Sequence, residues 1–172
     1  MAKRKRYWLM KTEPDVCSFD DIANLPNQTT GWDGVHNYQA RNSMRDEMSV
    51  GDPIILYHSN AMPPHAIGIG EVASEAYPDP TQFDKKQEAY DPKATKEKPI
   101  WYQVDVKAIR KFSRAVGLPE LRQVKALQNM VLFRASRLSV QPLTKREYEW
   151  VVKLGDTDTS QATKKGTNKK RA

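Results

Sequence analysis

The 172-residue chain predicts an α+β fold, a small curled β-sheet or barrel surrounded by short helices. Three observations carry this. Short apolar and aromatic runs bounded by Gly, Pro, Asn and Asp outnumber the helical patterns. The helical patterns are brief and interrupt the strands irregularly, which disfavours a doubly wound parallel sheet. A hydrophobic content of 38% over this length fills one core of ordinary size and not two.

Taken in order, Tyr7-Trp-Leu-Met-Lys11 is a first strand, ended by the turn Thr12-Glu-Pro-Asp15. Ser18 then caps a short helix: Asp21 stands at the third helical position, where its carboxylate can return a hydrogen bond, and Phe19, Ile22 and Ala23 turn inward. After a polar loop, Gly31-Trp-Asp-Gly-Val-His-Asn-Tyr-Gln-Ala-Arg-Asn42 begins with loop glycines and ends in a helix reaching about Glu47. Ile54-Ile-Leu-Tyr-His58 is continuously apolar and reads as a buried strand. Its hairpin partner is Ala66-Ile-Gly-Ile-Gly-Glu-Val-Ala73, where glycines alternate with isoleucine as they do when another backbone packs closely.

From Tyr77 to Pro99 the chain is rich in Pro, Asp and Lys and forms a long excursion with one helical turn near Pro80–Phe83. Ile100 to Phe112 is the longest strand pattern, with Trp101, Gln103, Asp105 and Lys107 on one face. A helix starts near Gly117 with Pro119 in its first turn, a further turn spans Ala126–Met130, and Arg137–Pro142 is a brief strand. Thr144 caps a last helix, with Glu147 at its third position, Tyr148, Val151 and Val152 inward and Gly155 as its stop.

The net charge of +7 belongs to the ends. Residues 3 to 6 carry four cations and residues 156 to 172 a net three positive charges, whereas residues 7 to 155 hold 19 basic and 19 acidic side chains. The organisation is therefore a basic N-terminal tail (1–6), one domain (7–155) and a basic, disordered C-terminal tail (156–172). Such tails bind phosphate through counterion release without sequence preference. No apolar run approaches the roughly 20 residues of a membrane span, and the N-terminus has no signal-peptide pattern. Cys17 is the single cysteine, so no internal disulfide is expected, which fits a reducing, intracellular setting.

The chemistry of catalysis is hard to assemble. Three histidines (His36, His58, His65) and one cysteine do not supply structural zinc spacings. Gly68-Ile-Gly-Glu-Val-Ala73 spells a dinucleotide fingerprint, yet Pro78 and Pro80 deny it the helix that would receive pyrophosphate. No base is paired with Cys17, and Ser59 lacks a nucleophile elbow. No metal, cofactor or enzymatic activity is expected. What remains is a set of aromatics (Trp8, Trp32, Tyr38, Tyr57) with polar groups (Asn37, Arg41, Asn42, His58, Ser59, Asn60) suited to stack a flat base and read its edge. Trp8 and Tyr57 lie inside strand patterns and read as core. Trp32, between two loop glycines without periodic apolar neighbours, reads as a site wall. His58 fits either a core histidine bonded to backbone or a pocket group.

Tyr7-Trp-Leu-Met-Lys-Thr-Glu-Pro14, the Gly31–Asn42 run, Leu56-Tyr-His-Ser59, Gly68-Ile-Gly-Glu-Val72 and Ala76-Tyr-Pro-Asp79 occur in this order. Together they resemble the EVE domain, and within it the thymocyte nuclear protein group, over about residues 7 to 154. One departure is His36, where the family usually has arginine. The resemblance implies a PUA-like barrel related to YTH and SRA domains, which take a modified base into an aromatic pocket. It implies a non-enzymatic reader of a modified cytosine, such as 5-methylcytosine or 5-hydroxymethylcytosine, in DNA. Competing expectations are an RNA-binding or RNA-modification module and a small-molecule or protein-binding module. The resemblance places Trp32 on a pocket wall with Lys11 and Asn37 as polar groups, and Ser18, Tyr38, Arg41, Asn42, His58 and Ser59 as lesser candidates. Nucleic acid is the expected partner, DNA before RNA, with no membrane role and a nuclear location in a eukaryotic cell.

Overall fold

The computed structural model describes residues 4–157, so most of the two basic ends named above lies outside the described residues. Among the described residues eight strands form: β1 (Tyr7–Thr12), β2 (Thr29–Gly31), β3 (Pro53–His58), β4 (His65–Val72), β5 (Tyr77–Pro78), β6 (Tyr102–Gln103), β7 (Asp105–Gly117) and β8 (Val140–Leu143). Six build one curled sheet in the order β2-β7-β4-β3-β1-β8, and β5 pairs with β6 in a separate two-stranded ladder. β1 and β3 run parallel; the other pairs in the sheet are antiparallel. Helices α1 (Pro14–Cys17), α2 (Phe19–Ala23), α3 (Tyr38–Asn42), α4 (Leu118–Gln123) and α5 (Lys145–Asp156) surround it, which is the α+β architecture the sequence predicts.

Both faces of the sheet are covered, and this explains the continuous apolar strands. Trp8, Met10, Ile54, Leu56, Val106 and Val140 pack on one face with Phe19 and Ile22 of α2, Ala40 of α3 and Met44. Leu9, Ile55, Tyr57, Phe112 and Leu143 pack on the other with Leu121 of α4 and Val151 of α5. Both expected capping boxes form: Ser18 and Asp21 bond reciprocally at α2, Thr144 and Glu147 at α5. The β4 glycines do admit close backbone, since a Cβ on Gly68 would lie 2.6 Å from the Arg110 carbonyl oxygen.

Three expectations change. Thr12–Asp15 leads into a full helical turn, α1, because Pro14 is already set for a helix start. The helix from Tyr38 is α-helical only to Asn42 and continues as a π-helical turn over Ser43–Glu47. The Ile100–Phe112 strand divides at Val104, whose carbonyl accepts from the Trp32 N–H at 2.9 Å. β7 then runs on to Gly117, and its register with β4 shifts twice. A shifted register breaks the two-residue alternation that reveals a strand in sequence, as the exposed run Ile109, Arg110, Lys111 shows. Two residues just outside the expected domain limits are bonded to it. Arg6 donates from its backbone to Asp52 and from its guanidinium to Glu47, and Asp156 ends α5 in an ion pair with Arg110.

Candidate functional site

Parallel β1 and β3 finish side by side, with Thr12 opposite His58, and the Ser59 N–H donates to the Thr12 carbonyl at 3.0 Å. The α1–α2 junction closes over this sheet end. The Thr12 hydroxyl donates to the Cys17 carbonyl at 2.7 Å, and the Phe19 N–H donates to His58 Nε2 at 3.1 Å. The segment leaving β2 arrives beside it. Burial, and next the charge of Asp79, pushes the Asp33 carboxyl above its ordinary value. Burial also pushes the Cys17 thiol up, helped by Asp21 and Asp33, so Asp33 stands near both Cys17 and Asp79.

Asp79 is the anchor of this segment. It is 1% exposed, and its carboxylate accepts from the Gly34 N–H at 2.7 Å and from the Thr81 N–H and hydroxyl at 2.8 and 2.6 Å. Charge-assisted hydrogen bonds of this kind are about twice as strong as neutral ones. Gly34, at φ +72°, takes the left-handed turn that lets its N–H reach the carboxylate. At the adjoining Gly31, a Cβ would lie 2.3 Å from Gln103 Nε2. The Tyr77 hydroxyl donates to Asp105 and accepts from Gln103 Nε2, which directs the Gln103 Oε1 away; that buried oxygen has no partner among the described residues.

The nine expected site residues fall into separate groups. Ser18, His58 and Ser59 meet at the sheet end. The Ser18 hydroxyl accepts from Asp21 N–H and so caps α2, and His58 is buried with backbone bonded to it, the core alternative named for it above. Lys11 projects from the opposite face of β1. Its ammonium donates to the Ser136 carbonyl at 2.8 Å and lies 6.0 Å from the Tyr57 ring centre, and burial pulls it below its ordinary value.

Asn37, Tyr38, Arg41 and Asn42 gather on α3. The Asn37 side chain accepts from the Ala40 N–H and caps the helix. The Arg41 guanidinium sits 4.8 Å from the Tyr38 ring centre and donates to the Ile100 carbonyl and to Asn42 Oδ1. Trp32 departs from expectation. At 6% exposure it belongs to the same apolar cluster as Trp8, Phe19 and Met44, so it does not stand apart from the core. Its apolar neighbours come from distant segments, which is why no local periodicity announced them.

A second aromatic group escaped the sequence reading. His36 stacks on Trp101 at 4.5 Å with 8° between the rings, Tyr38 tilts against the same indole at 5.0 Å, and the indole N–H donates to Asp91 at 2.8 Å. The available signal was the Pro99-Ile100-Trp101 step, a loop composition placed at the head of a strand pattern. The chemistry on offer throughout is stacking, hydrogen bonding and charge. Among the described residues no three His, Cys, Asp or Glu side chains converge to hold a metal ion, and no helix is long and apolar enough to cross a membrane. Two open surface cavities, of about 670 and 510 Å³, lie at the start of β1 instead, lined by Arg4, Lys5, Arg6, Glu47, Asp52 and Lys145 among others.

Two relatives bear on this geometry. Human thymocyte nuclear protein 1 is 42% identical over 171 residues, covering 90% of this chain and 76% of that protein. The crystal structure of human THYN1 protein in complex with 5-methylcytosine-containing DNA matches with a TM-score of 0.85 at 42% identity, over 90% of this chain and 99% of that one. A protein from Leishmania major matches with the same TM-score at 46% identity, over 91% and 98%. The curled sheet with its short helices is common to them. With residues 6–154 matching the family over nearly the whole folded region, this chain belongs to the EVE domain family.

Proposed function

We propose that this chain is a non-enzymatic reader of modified cytosine in DNA. The observation that carries the reading is the likeness, across 90% of the chain, to a human protein crystallised with 5-methylcytosine-containing DNA. Two features of the site support it. The His58 ring nitrogens are both engaged, Nε2 by Phe19 and Nδ1 by His65, and burial with nearby Asp21 and Asp33 pushes the half-buried Cys17 thiol up, away from the thiolate a nucleophile needs. The Asp33 carboxyl, raised by burial and by Asp79, is suited to share hydrogen bonds with the edge of a base.

In this reading Trp32 forms a pocket floor continuous with the core, Asn37 and Ser59 supply polar edges, and Tyr38 with Arg41 contacts the surrounding nucleic acid. Ser18, Asn42 and His58 hold the pocket's walls in place, and Lys11, on the opposite face of β1, adds a cation for phosphate. Residues 7–155 act as one domain, and the basic ends add phosphate affinity without choice of base. In a eukaryotic cell its place is the nucleus.

The test is a binding array of matched DNA and RNA oligonucleotides carrying different cytosine and adenine modifications, at two salt concentrations. A preference for modified cytosine in DNA that persists at high salt is expected. Equal binding of modified and unmodified strands, or a preference confined to RNA, would overturn the reading.

A further inference from the structure

The loop Ser59–Pro64, which joins β3 to β4 at the candidate site, is tied to the body on both sides. Ser59 N–H donates to Thr12, the Leu118 N–H donates to the Pro64 carbonyl at 2.8 Å, and His65 Nδ1 bonds the Pro63 carbonyl at 2.9 Å. The Pro63 ring lies against Gly117, where a Cβ would be 3.2 Å from its Cγ. Asn60 turns the chain at φ 51°. The product of these ties is one side chain in water: Met62 is 101% exposed, well beyond the next most exposed large hydrophobic residue, Val16 at 76%. Anchored loop tips usually carry small or polar residues, and an unbranched thioether held out on a fastened loop suits insertion into an apolar gap.

Two cations lie around Tyr57, near the end of the strand that leads into this loop. Lys11 and Arg122 both neighbour Tyr57, whose phenol burial pushes up to about 12 while Arg122 pulls it down. Neither cation has an ion pair among the described residues, whereas Lys111 and Arg114 are matched by Asp20 and Glu120.

Withdrawing a base from a duplex leaves a gap between its stacked neighbours, and apolar side chains, methionine among them, fill such gaps. We infer that Met62 is the wedge that enters the DNA stack where the modified base has left it, an inference that rests on the base-reading function proposed above. The partner is therefore duplex DNA, not only the single strand.

The experiment compares the full chain with Met62→Ala and Met62→Leu, each checked by thermal melting, on one modified-cytosine oligonucleotide as a duplex and as a single strand. A 2-aminopurine beside the modified base reports unstacking. Met62→Ala should weaken duplex binding by about tenfold and reduce the fluorescence rise, while single-strand binding stays within about twofold, as expected when only the unstacking step loses support. Met62→Leu should retain the duplex affinity. A loss equal on both forms, or none on either, would remove Met62 from this role while leaving base reading intact. A wild-type chain that prefers modified cytosine in neither form would instead sink the base-reading function, and the wedge with it.

Discussion

His58 Nδ1 and His65 Nε2 lie 3.1 Å apart on directly opposed residues of β3 and β4, and one proton is shared between them. The chain of donors fixes where it sits. Phe19 N–H must donate to His58 Nε2, so the neutral His58 carries its proton on Nδ1 and gives it to His65, whose own proton on Nδ1 goes to the Pro63 carbonyl. The fold thus binds α2, the sheet end and the Met62 loop through two imidazoles in series.

This arrangement makes stability depend on pH. Burial, then His65 and Lys111, hold the His58 pKa below its ordinary value, with Asp20 opposing them. A group with a depressed folded pKa binds its proton more readily when unfolded. Its stabilisation is therefore complete above the unfolded value of about 6.5 and is lost as pH falls from there through the folded value. Thermal melts of the wild type should drop between neutral and mildly acidic pH, and the drop should shrink in His58→Gln, whose amide oxygen can still accept from Phe19. An equal drop in both would reject the coupling.

Trp32→Ala and Trp8→Ala should behave alike in folding. Both indoles lie in one apolar cluster, at 6% and 1% exposure, so each truncation should cost roughly 3 to 5 kcal/mol. Chemical denaturation measures this. Titration corrected for the folded fraction then isolates the ligand contribution: Trp32→Ala should also lose preference for the modified base, and Trp8→Ala should keep it.

Gly155→Ala should destabilise the protein even though alanine favours a helix by about 1 kcal/mol over glycine. Gly155 is the last residue but one of α5, and an added Cβ would fall 2.3 Å from the Phe112 ring. Overpacking of this kind costs about 1 to 3 kcal/mol. Combining the change with Phe112→Leu should recover part of the loss, and strictly additive losses would show that the ring is not the obstacle.

Removal of residues 1–5 and 158–172 takes away the entire net charge of +7 while sparing Arg6, which is bonded to Glu47 and Asp52. Affinity should fall alike for modified and unmodified oligonucleotides, and its salt dependence should flatten. Binding isotherms at several salt concentrations test both points, and loss of the modified-base preference in the truncated chain would move recognition into the ends.

The sequence alone determined what is written in local patterns. The caps at Ser18 and Thr144, the buried β1 and β3 strands, the β3–β4 hairpin and the concentration of charge in the ends all follow from residues within a few positions of each other. The five ordered motifs determined the family. Tertiary structure decided the features made by residues distant in the chain. Trp32 became core because it joins the apolar cluster of Phe19, Met44 and Val104, and Trp101 gained its aromatic neighbours because His36 and Tyr38 reach it from another segment. The β7 register shifts follow from its pairing with β4. Gly155 belongs with these, since a glycine near a helix end reads as a stop until Phe112 from β7 is seen pressing against it. Local propensity acts over a turn or a pleat, whereas close packing depends on which surfaces the completed chain brings together.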